Sequence, residues 1–308
     1  MTPSSLPTTE SASVLAVIVS YKPNHARLLA LLQSVAGQVS RMVVVDNGSS
    51  QETVQYLRTL TARLDFELIE FEQNRGIAAA HNAGIRLAKD RKHEYVLLLD
   101  HDSRLEPLCV SALLRAHQSL SSAGVRLAAV GPQYRDETSG MPAPFLRYTR
   151  WRSVKVYPRN ALDTVEASVL ISSGSLIAVT AIDAIGPMDE GLFVDGVDWD
   201  WCFRASSLGY RLYGIGAACM THSLGDSGLS LWRWVIPLHS PLRHYYAYRN
   251  AILLCRRSTV PWSWKLHFSS RLVIRFAIYM VLAPHRLQRC RFISRGVVDG
   301  LANRSGPV

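Results

Sequence analysis

The chain has 308 residues, of which 48% are apolar, and it carries a formal net charge of +10. This length and composition suffice for a packed core in one or two domains. The five cysteines are scattered without a CxxC pair, which argues against structural zinc and a disulfide framework and favours a reducing compartment. Residues 1–13 are polar and rich in Ser, Thr and Pro, so we expect a flexible tail and not a signal peptide.

Strands and helices are predicted to alternate along the first hundred residues. The apolar run Val14–Ser20 is typical of a strand buried on both faces. Such alternation indicates parallel strands joined by right-handed crossovers, so the sequence predicts an α/β fold with a Rossmann-like, mostly parallel sheet flanked by helices. The predicted helices cover 25–39, 52–64 and 77–89, and the predicted later strands cover 42–45, 66–71 and 96–99.

Two carboxylates follow the last of these strands directly, in Asp100-His101-Asp102-Ser103. In an open α/β sheet, ligands bind outside the carboxyl ends of the strands. Asp100 and Asp102 could therefore hold a hard divalent cation and, through it, the phosphates of a nucleotide. The alternative is a solvated turn that caps the next helix, and the short Asp-x-Asp pattern does not decide between them.

Two more polar turns are predicted at the same edge of the sheet. Asp46 follows the second strand and can accept a hydrogen bond from an N–H group of a base, while Gly48 allows a tight turn. Small residues over 74–84 would let a ligand approach the start of a helix, where free amides and the helix dipole favour anions. Either turn could be an ordinary helix cap, but three polar turns on one edge strengthen the case for a binding site.

The basic residues are concentrated in the last third of the chain. Residues 201–308 contain 15 lysines and arginines against two aspartates, whereas residues 1–200 contain 19 basic and 22 acidic residues. This asymmetry predicts contact with something anionic. The apolar stretch 272–283 is too short to span a bilayer, but with its basic flanks it suits a helix lying among lipid headgroups. The alternative is a helix packed in the core, and no recognised motif indicates nucleic-acid binding.

Several ordered motifs cover about residues 14–306. The motifs of the first half are Ser20-Tyr21, Val45-Asp46-Asn47-Gly48-Ser49, Asn74-Arg75-Gly76, Asn82-Ala83-Gly84 and Leu99-Asp100-His101-Asp102-Ser103. Further motifs lie at 172–174, 186–204, 222–226 and 241–250. Together they resemble the motifs of inverting family-2 glycosyltransferases with the GT-A fold, in particular the bacterial rhamnosyltransferase branch that uses dTDP-L-rhamnose.

The resemblance implies roles for the residues on the nucleotide side. Asp46 would bind the thymine or uracil base, and Arg75 would lie near the nucleotide. Asp100 would sit by the ribose, and Asp102 would ligate Mg²⁺ or Mn²⁺ bridging the diphosphate. His222 would complete the metal site. The nucleotide-sugar side would thus comprise Ser20, Asp46, Arg75, Asp100 and Asp102.

The resemblance also implies a general base. The family's glutamate–aspartate pair reads here as Val197-Asp198, the form found in the rhamnosyltransferase branch, which leaves Asp198 as the base. An inverting transfer needs one carboxylate to deprotonate the acceptor and one metal to neutralise the leaving group. Asp195 and Asp200 are rivals, but on a helix starting near Asp198 the side chain of Asp200 would point about 160° away. Asp195 could instead orient the acceptor or cap that helix.

Other candidate residues on the acceptor side keep two interpretations each. Gly174 could let the acceptor or the sugar approach the backbone, or it could form a plain turn. Trp199 and Trp201 could stack on a sugar or pack in the core. We place Gly174, Asp195, Trp199 and Asp200 on the acceptor side. A second group is interpreted as structural or as contacting the diphosphate, and it consists of Arg243, Tyr245, Arg249 and Asn250.

The resulting expectation is a metal-assisted, inverting rhamnosyltransferase. It would move L-rhamnose from dTDP-L-rhamnose to a lipid-linked, lipopolysaccharide, O-antigen or rhamnolipid-type acceptor. Alternatives are another donor such as UDP-galactofuranose, or a non-catalytic nucleotide-sugar-binding protein at the membrane. The expected organisation is a GT-A catalytic domain over 14–230, divided at 104 into nucleotide and acceptor halves, and a helical basic region over 231–308. We expect a cytoplasmic protein, peripheral on the inner face of the cell membrane and bound to anionic lipid.

Overall fold

The structure is a computed structural model that describes residues 12–137, 140–222, 228–231 and 234–308. Most of the predicted tail over 1–13, and the motif residues 223–226, lie outside the described residues. The α/β fold predicted from the sequence is confirmed, with a mainly parallel central sheet, flanking helices and three helices at the C-terminus.

The first half of the chain forms the parallel part of the sheet. The elements are β1 (Val14–Ser20), α1 (His25–Val35), β2 (Arg41–Asp46), α2 (Gln51–Leu64), β3 (Phe66–Glu70), α3 (Ile77–Asp90) and β4 (Tyr95–Asp100). The strands lie in the order β3-β2-β1-β4, and each adjacent pair is parallel. Helix α1 ends at Val35, four residues before the predicted end, because Gly37 adopts a left-handed φ of +79° just after the cap.

The second half extends the same sheet to nine strands within the described part of the chain. Its elements are β5 (Ser103–Leu105), α4 (Cys109–Ser122), β6 (Leu127–Asp136), β7 (Phe145–Tyr148), β8 (Ser153–Val156), β9 (Thr164–Ala167), β10 (Leu176–Ala178), α5 (Val179–Ile185), a 3-10 helix (Glu190–Leu192), α6 (Val197–Ser207), β11 (Arg211–His222), β12 (Gly228–Leu231) and β13 (Trp234–Pro237). Strand β10 lies antiparallel between β4 and β6, and the long strand β11 lies parallel to β6 and also pairs with β9 and β5.

Two apolar layers cover the faces of the sheet. Because side chains alternate along a strand, Val17 of β1 faces one layer and Ile18 faces the other. Both are fully buried, as the continuous apolar run in β1 predicts. Helix α3 lies unusually close to β1, since a Cβ on Gly84 would stand 2.2 Å from the Val17 side chain. The parallel strands therefore sit in a core on both faces, and their carboxyl ends open at one edge.

Three helices follow the sheet: α7 (Pro241–Cys255), α8 (Trp262–Leu282) and α9 (Arg286–Leu301). Helices α7 and α9 pack backbone to backbone, because a Cβ on Gly296 would stand 2.5 Å from the carbonyl oxygen of Tyr245. A separate small cluster between the three helices contains Leu272, Tyr279 and Ile293. Among the described residues, no helix combines the length and the apolar character needed to cross a membrane.

Candidate active site

The carboxyl ends of β1, β2 and β4 bring three predicted site residues together. Ser20 pairs in register with Asp46, and the neighbouring Val19 pairs with Asp100. Ser20 and Asp46 are completely buried. Asp46 Oδ2 accepts a hydrogen bond of 2.8 Å from the Ser49 amide, whereas Asp46 Oδ1 and Ser20 Oγ have no partner among the described residues. Buried polar atoms are normally hydrogen-bonded, so these two atoms are available to a ligand.

A hydrogen-bond network joins the turns after β2 and β3. Asn47 Nδ2 donates to Asn74 Oδ1 at 3.1 Å, and the Arg75 amide donates to Asn47 Oδ1 at 2.8 Å. Gly48 has a φ of +79°, and a Cβ there would stand 2.4 Å from the Gln73 carbonyl carbon. The network fixes the backbone of Arg75 beside Asp46, while its guanidinium lies over the Phe71 ring at 4.9 Å. This places Arg75 at the predicted edge of the sheet.

The start of α3 is less open to an anion than the sequence suggested. The first helical amide, that of Ile77, donates to the Phe193 carbonyl at 2.7 Å. A Cβ on Gly76 would stand 2.4 Å from the same carbonyl oxygen. The first amide of α3 is therefore already hydrogen-bonded to the loop that carries Phe193. This bond joins the start of α3 to the segment that precedes Asp198.

Asp100, Asp102 and His222 form a cluster in which one ligand atom of each lies within 4.8 Å of the others. Antiparallel pairing of His222 with Ser103 brings the histidine to this edge across 119 residues of sequence. Asp100 Oδ1 and Asp102 Oδ1 are buried without a hydrogen-bond partner among the described residues, although Asp102 Oδ1 lies 3.5 Å from His222 Nδ1. Burial raises the pKa of Asp100, the Asp102 charge adds to the rise, and His222 opposes it. Two carboxylates and an imidazole are a donor set that suits a divalent cation.

A chain of hydrogen bonds supports this cluster from behind. The Asp100 amide donates to Ser173 Oγ at 3.1 Å, the Ser173 and Ser103 hydroxyls lie 2.6 Å apart, and Ser103 Oγ lies 2.9 Å from His222 Nδ1. Such supporting contacts fix the orientation of a metal-binding histidine. Sequence analysis did not assign this role to Ser103 or Ser173. The signal that could have indicated this role is the position of Ser103 directly after the Asp-x-Asp pattern.

Gly174 occupies a tight turn before β10. Its φ is +84°, its amide donates to the Leu98 carbonyl at 2.7 Å, and a Cβ there would stand 2.5 Å from the Pro132 ring. Conformation and packing together account for glycine at this position. These contacts support the interpretation of Gly174 as a turn residue over a site where the acceptor or the sugar approaches the backbone.

Asp198 is the second residue of α6 and lies beside the cluster. Its Oδ1 accepts a hydrogen bond of 2.9 Å from the Trp199 amide. Burial, with smaller contributions from the charges of Asp100 and Asp195, raises the pKa of Asp198 to about 7. The charge of Asp198 in turn adds to the rise that burial causes in the pKa of Tyr134. A carboxyl group with a pKa near neutrality can gain and lose a proton under physiological conditions, as a general base must.

Asp200 has different surroundings from Asp198. Its carboxylate is completely buried, accepts a hydrogen bond of 2.8 Å from Arg204 Nε and is also bonded to Arg257. Arg257 bonds Asp189 as well, so this guanidinium joins α6 to the segment before it. The structure therefore gives Asp200 a position in the core, not on a surface that an acceptor could reach.

The two tryptophans of α6 also pack internally. Trp201 is buried, and its Nε1 donates to the Gly186 carbonyl at 3.0 Å. Trp199 is half-buried, with its ring edge against Trp264 at 5.5 Å and Phe268 at 4.7 Å. Trp199 thus connects α6 with α8, and these contacts support its packing in the core.

The polar group on α7 holds the loop before α6. Arg249 is 1% exposed, and its guanidinium donates to the Gly191 carbonyl at 3.1 Å and to Leu192 at 3.3 Å. Asn250 Nδ2 donates to the Leu192 and Asp195 carbonyls at 2.6 and 2.7 Å. Of the two roles considered for Arg249 and Asn250, these bonds support the structural role over contact with the diphosphate.

Asp195 is held on both its backbone and its side chain. Its Oδ1 accepts from Arg243 at 3.2–3.3 Å, while its Oδ2 is buried with no partner among the described residues. Asp195 also contributes to the raised pKa of Asp198. It therefore lies next to Asp198 with one carboxylate oxygen available.

Comparisons with known proteins agree with this geometry. Residues 16–186 match glycosyl transferase family 2. The chain is 32% identical over 253 residues to a Shigella flexneri protein named dTDP-rhamnosyl transferase RfbF, and the match covers 82% of each chain. The chain therefore belongs to glycosyl transferase family 2, whose members are glycosyltransferases.

Solved structures show the same fold at low sequence identity. A structure of GalNAc-T7 with UDP, GalNAc and Mn²⁺ matches 96% of this chain with a TM-score of 0.59 and 13% identity, and this chain spans only 57% of that one. A structure of S. aureus TarS 1-349 with UDP-GlcNAc matches 94% of this chain and 80% of its own, with a TM-score of 0.54 and 14% identity. These likenesses establish the GT-A-like fold.

Proposed function

We propose that this family 2 glycosyltransferase transfers L-rhamnose from dTDP-L-rhamnose to a hydroxyl of a lipid-linked, lipopolysaccharide or rhamnolipid-type acceptor, with inversion at the sugar carbon. The observation that carries the proposal is the convergence of Asp46, Asp100, Asp102, His222 and Asp198 at one edge of the sheet. The 32% identity to a protein named as a dTDP-rhamnosyl transferase supports the choice of donor.

Ser20 and Asp46 would recognise the base. Asp46 Oδ1 is a buried acceptor without a partner among the described residues, and it suits the ring N–H of thymine or uracil. Ser20 Oγ, equally buried, can donate or accept beside it. Arg75, fixed next to this pocket through its amide, would lie near the nucleotide.

Asp100, Asp102 and His222 would hold Mg²⁺ or Mn²⁺ between the protein and the donor diphosphate. The residues fit a cation because two buried carboxylate oxygens lack partners within the described residues beside an imidazole. A bound cation would neutralise the charge that develops on the departing nucleoside diphosphate. The serines behind the cluster would keep His222 oriented for this role.

Asp198 would act as the general base in a single displacement. The acceptor oxygen forms a bond to the sugar carbon as the bond to the diphosphate oxygen breaks on the opposite face. The hydroxyl proton passes to the Asp198 carboxylate, so no covalent enzyme intermediate is needed. A pKa near 7 lets Asp198 accept that proton and release it afterwards. Asp195, with a free buried oxygen alongside, would orient the acceptor hydroxyl.

The acceptor would come from the membrane. We place the protein peripherally on the inner face of the cytoplasmic membrane, with residues 14–230 as the catalytic domain and 231–308 as the membrane-associating region. Apolar residues on the outer face of α8 support this, since Trp262, Leu266 and Val281 are each at least 64% exposed. Exposed apolar side chains on a basic helix suit a headgroup region.

Isothermal titration of dTDP-L-rhamnose, UDP-sugars and GDP-sugars, with Mg²⁺ or Mn²⁺, tests the proposal. Metal-dependent binding of dTDP-L-rhamnose should be lost in Asp102→Ala and retained in Asp90→Ala, a control at an exposed aspartate. Preference for a UDP-sugar would keep the glycosyltransferase but reject rhamnose. Failure of the folded protein to bind any nucleotide sugar would contradict the whole proposal.

A further inference from the structure

An open apolar groove lies between the three C-terminal helices. Its volume is about 680 Å³, which is within the range of small-molecule sites. Ala251 of α7, Leu272 of α8 and Ile293 of α9 are buried at its base, and Phe276 and Val297 form part of its walls. These side chains offer no charge to a ligand, so the groove suits a hydrocarbon chain.

The groove opens onto an exposed apolar surface. Val273 of α8 lines the groove and is 69% exposed, and Val298 and Leu301 of α9 line the opposite side at 60% and 63% exposure. Exposed apolar patches of this kind mark surfaces that contact a membrane or a partner. A chain lying in the groove would thus continue into an apolar environment outside it.

One end of the groove is cationic. Cys255 lies 3.6 Å from Ser269, and Tyr248 Oη donates to the Leu272 carbonyl at 2.7 Å, so α7 and α8 run antiparallel along the groove. Arg256 lines the groove at the Cys255 end, is exposed, and donates one hydrogen bond to the Leu301 carbonyl at 3.1 Å. A phosphate at this end would meet a guanidinium, which is the preferred partner of a phosphate.

The surrounding charge favours an anionic ligand. After residue 226, Asp299 is the only acidic residue in the sequence. Its carboxylate already binds the Tyr245 hydroxyl at 2.9 Å and Arg304 at 3.0 Å. A second copy of this chain would bring the same excess of positive charge and would be repelled. A nucleic acid would supply phosphates but no hydrocarbon chain to fill the groove.

We propose that this groove binds one acyl chain of an anionic membrane phospholipid, with the lipid phosphate beside Arg256. Burial of the chain and neutralisation of the phosphate would hold α7, α8 and α9 at the bilayer surface. The proposal gives the proposed membrane attachment a specific lipid site, and it does not depend on which sugar the enzyme transfers.

The test uses the full-length protein and a short-chain phosphatidylglycerol kept below its micelle concentration. Ser294 lines the groove and is exposed, so Ser294→Trp should fold while filling the space. Gln288→Trp is the matched control, because Gln288 is exposed on the same helix but does not line the groove. Titration calorimetry should show saturable one-to-one binding to the wild type and to Gln288→Trp, and weaker binding of phosphatidylcholine with the same chains.

Ser294→Trp should bind phosphatidylglycerol about tenfold more weakly, because the indole would displace buried CH₂ groups of the acyl chain from the groove. Because the indole would fill the groove, wild-type affinity of Ser294→Trp for the monomeric lipid would overturn the proposal. If the protein bound phosphatidylglycerol vesicles but not the monomeric lipid, the proposed membrane attachment would stand and the lipid site in the groove would be rejected. A wild-type dimer in sedimentation velocity that Ser294→Trp dissociates would assign the groove to a second copy and also reject the lipid.

Discussion

Asp198 and Asp200 lie two positions apart on the same helix and have opposite surroundings. No basic side chain among the described residues pairs with Asp198, and burial raises its pKa to about 7. Asp200 is bonded to two arginines, Arg204 and Arg257. The helical repeat directs the two carboxylates to nearly opposite sides of α6. The partners of each aspartate on this helix therefore decide its surroundings, and its position in the motif does not.

The same difference separates two groups of carboxylates. At the edge of the sheet, buried oxygens of Asp100 and Asp102 have no hydrogen-bond partner among the described residues. The second group consists of Asp189 and Asp200, which are both bonded to Arg257. Burying a carboxylate without a hydrogen-bond partner is unfavourable for folding, so Asp100, whose pKa burial raises, costs stability that a bound cation can offset. The second group stabilises the segment that carries Asp198.

Replacing Asp198 should have the largest effect on turnover. Asp198→Asn keeps the size of the side chain but cannot accept the proton, so the transfer rate should fall by about 10²–10⁴. Binding of the donor should stay close to that of the wild type, since the proposed partner of Asp198 is the acceptor. Steady-state kinetics and donor titration measure both, and a variant that turns over at the wild-type rate would remove Asp198 as the base.

Replacing Asp200 should give the opposite result. Asp200→Asn leaves Arg204 and Arg257 without their shared carboxylate, and breaking a buried pair typically costs about 3–5 kcal/mol. Urea denaturation should show this loss, while turnover per folded molecule changes far less than in Asp198→Asn. A stable Asp200→Asn protein with no activity would contradict the assignment of Asp200 to the core.

Removing one serine hydroxyl should have an intermediate effect on the cation site. Ser173→Ala breaks the chain from the Asp100 amide to His222 and should weaken metal affinity by about 10–100-fold. Ser172→Ala removes a neighbouring hydroxyl outside that chain and serves as the control. Equal metal affinity in both variants, measured by Mn²⁺ titration, would show that the chain does not support the site.

The smallest expected effect concerns stability as a function of pH. The pKa of Asp198 is about 7 in the folded protein against an ordinary value of 3.8, so the folded state binds more protons between these values. The Asp198 contribution to stability is therefore present at low pH and is lost as pH rises towards 7. In metal-free protein, Asp198→Asn should gain thermal stability relative to the wild type at pH 8 but not at pH 4. An equal difference at both pH values would contradict the raised pKa.

The parallel half of the fold could be predicted because its strands are buried on both faces. Continuous apolar runs such as Val14–Ser20 carry that signal directly. The position of β10 between β4 and β6 could not be predicted. A strand of three residues carries little sequence pattern, and its pairing partners are distant along the chain. The predicted end of α1 missed a helix stop because apolar spacing continues past the turn at Gly37.

The candidate site was only partly predictable for the same reason. The turn residues Asp46 and Asp100 follow their strands directly, so local sequence places them at the sheet edge. His222 reaches Asp102 through the pairing of β11 with β5, and only the resemblance to a family suggested it. The helical repeat and the spacing of Arg204 four residues after Asp200 were local signals that separated Asp200 from Asp198, whereas its second partner, Arg257, lies 57 residues away and could not be found from local sequence.

The role of Asp198 as the base is tested most directly by the pH dependence of sugar transfer, measured under saturating donor and metal in the wild type and in Asp198→Asn. We predict that the wild-type rate rises with pH to a plateau through a midpoint no higher than about 7, because Asp198 acts only when it is deprotonated and a nearby cation lowers the pKa of a carboxyl group. The residual rate of Asp198→Asn should lack that rise. A variant that keeps both the wild-type rate and the midpoint would contradict the claim that the unpaired aspartate of α6 is the catalytic base.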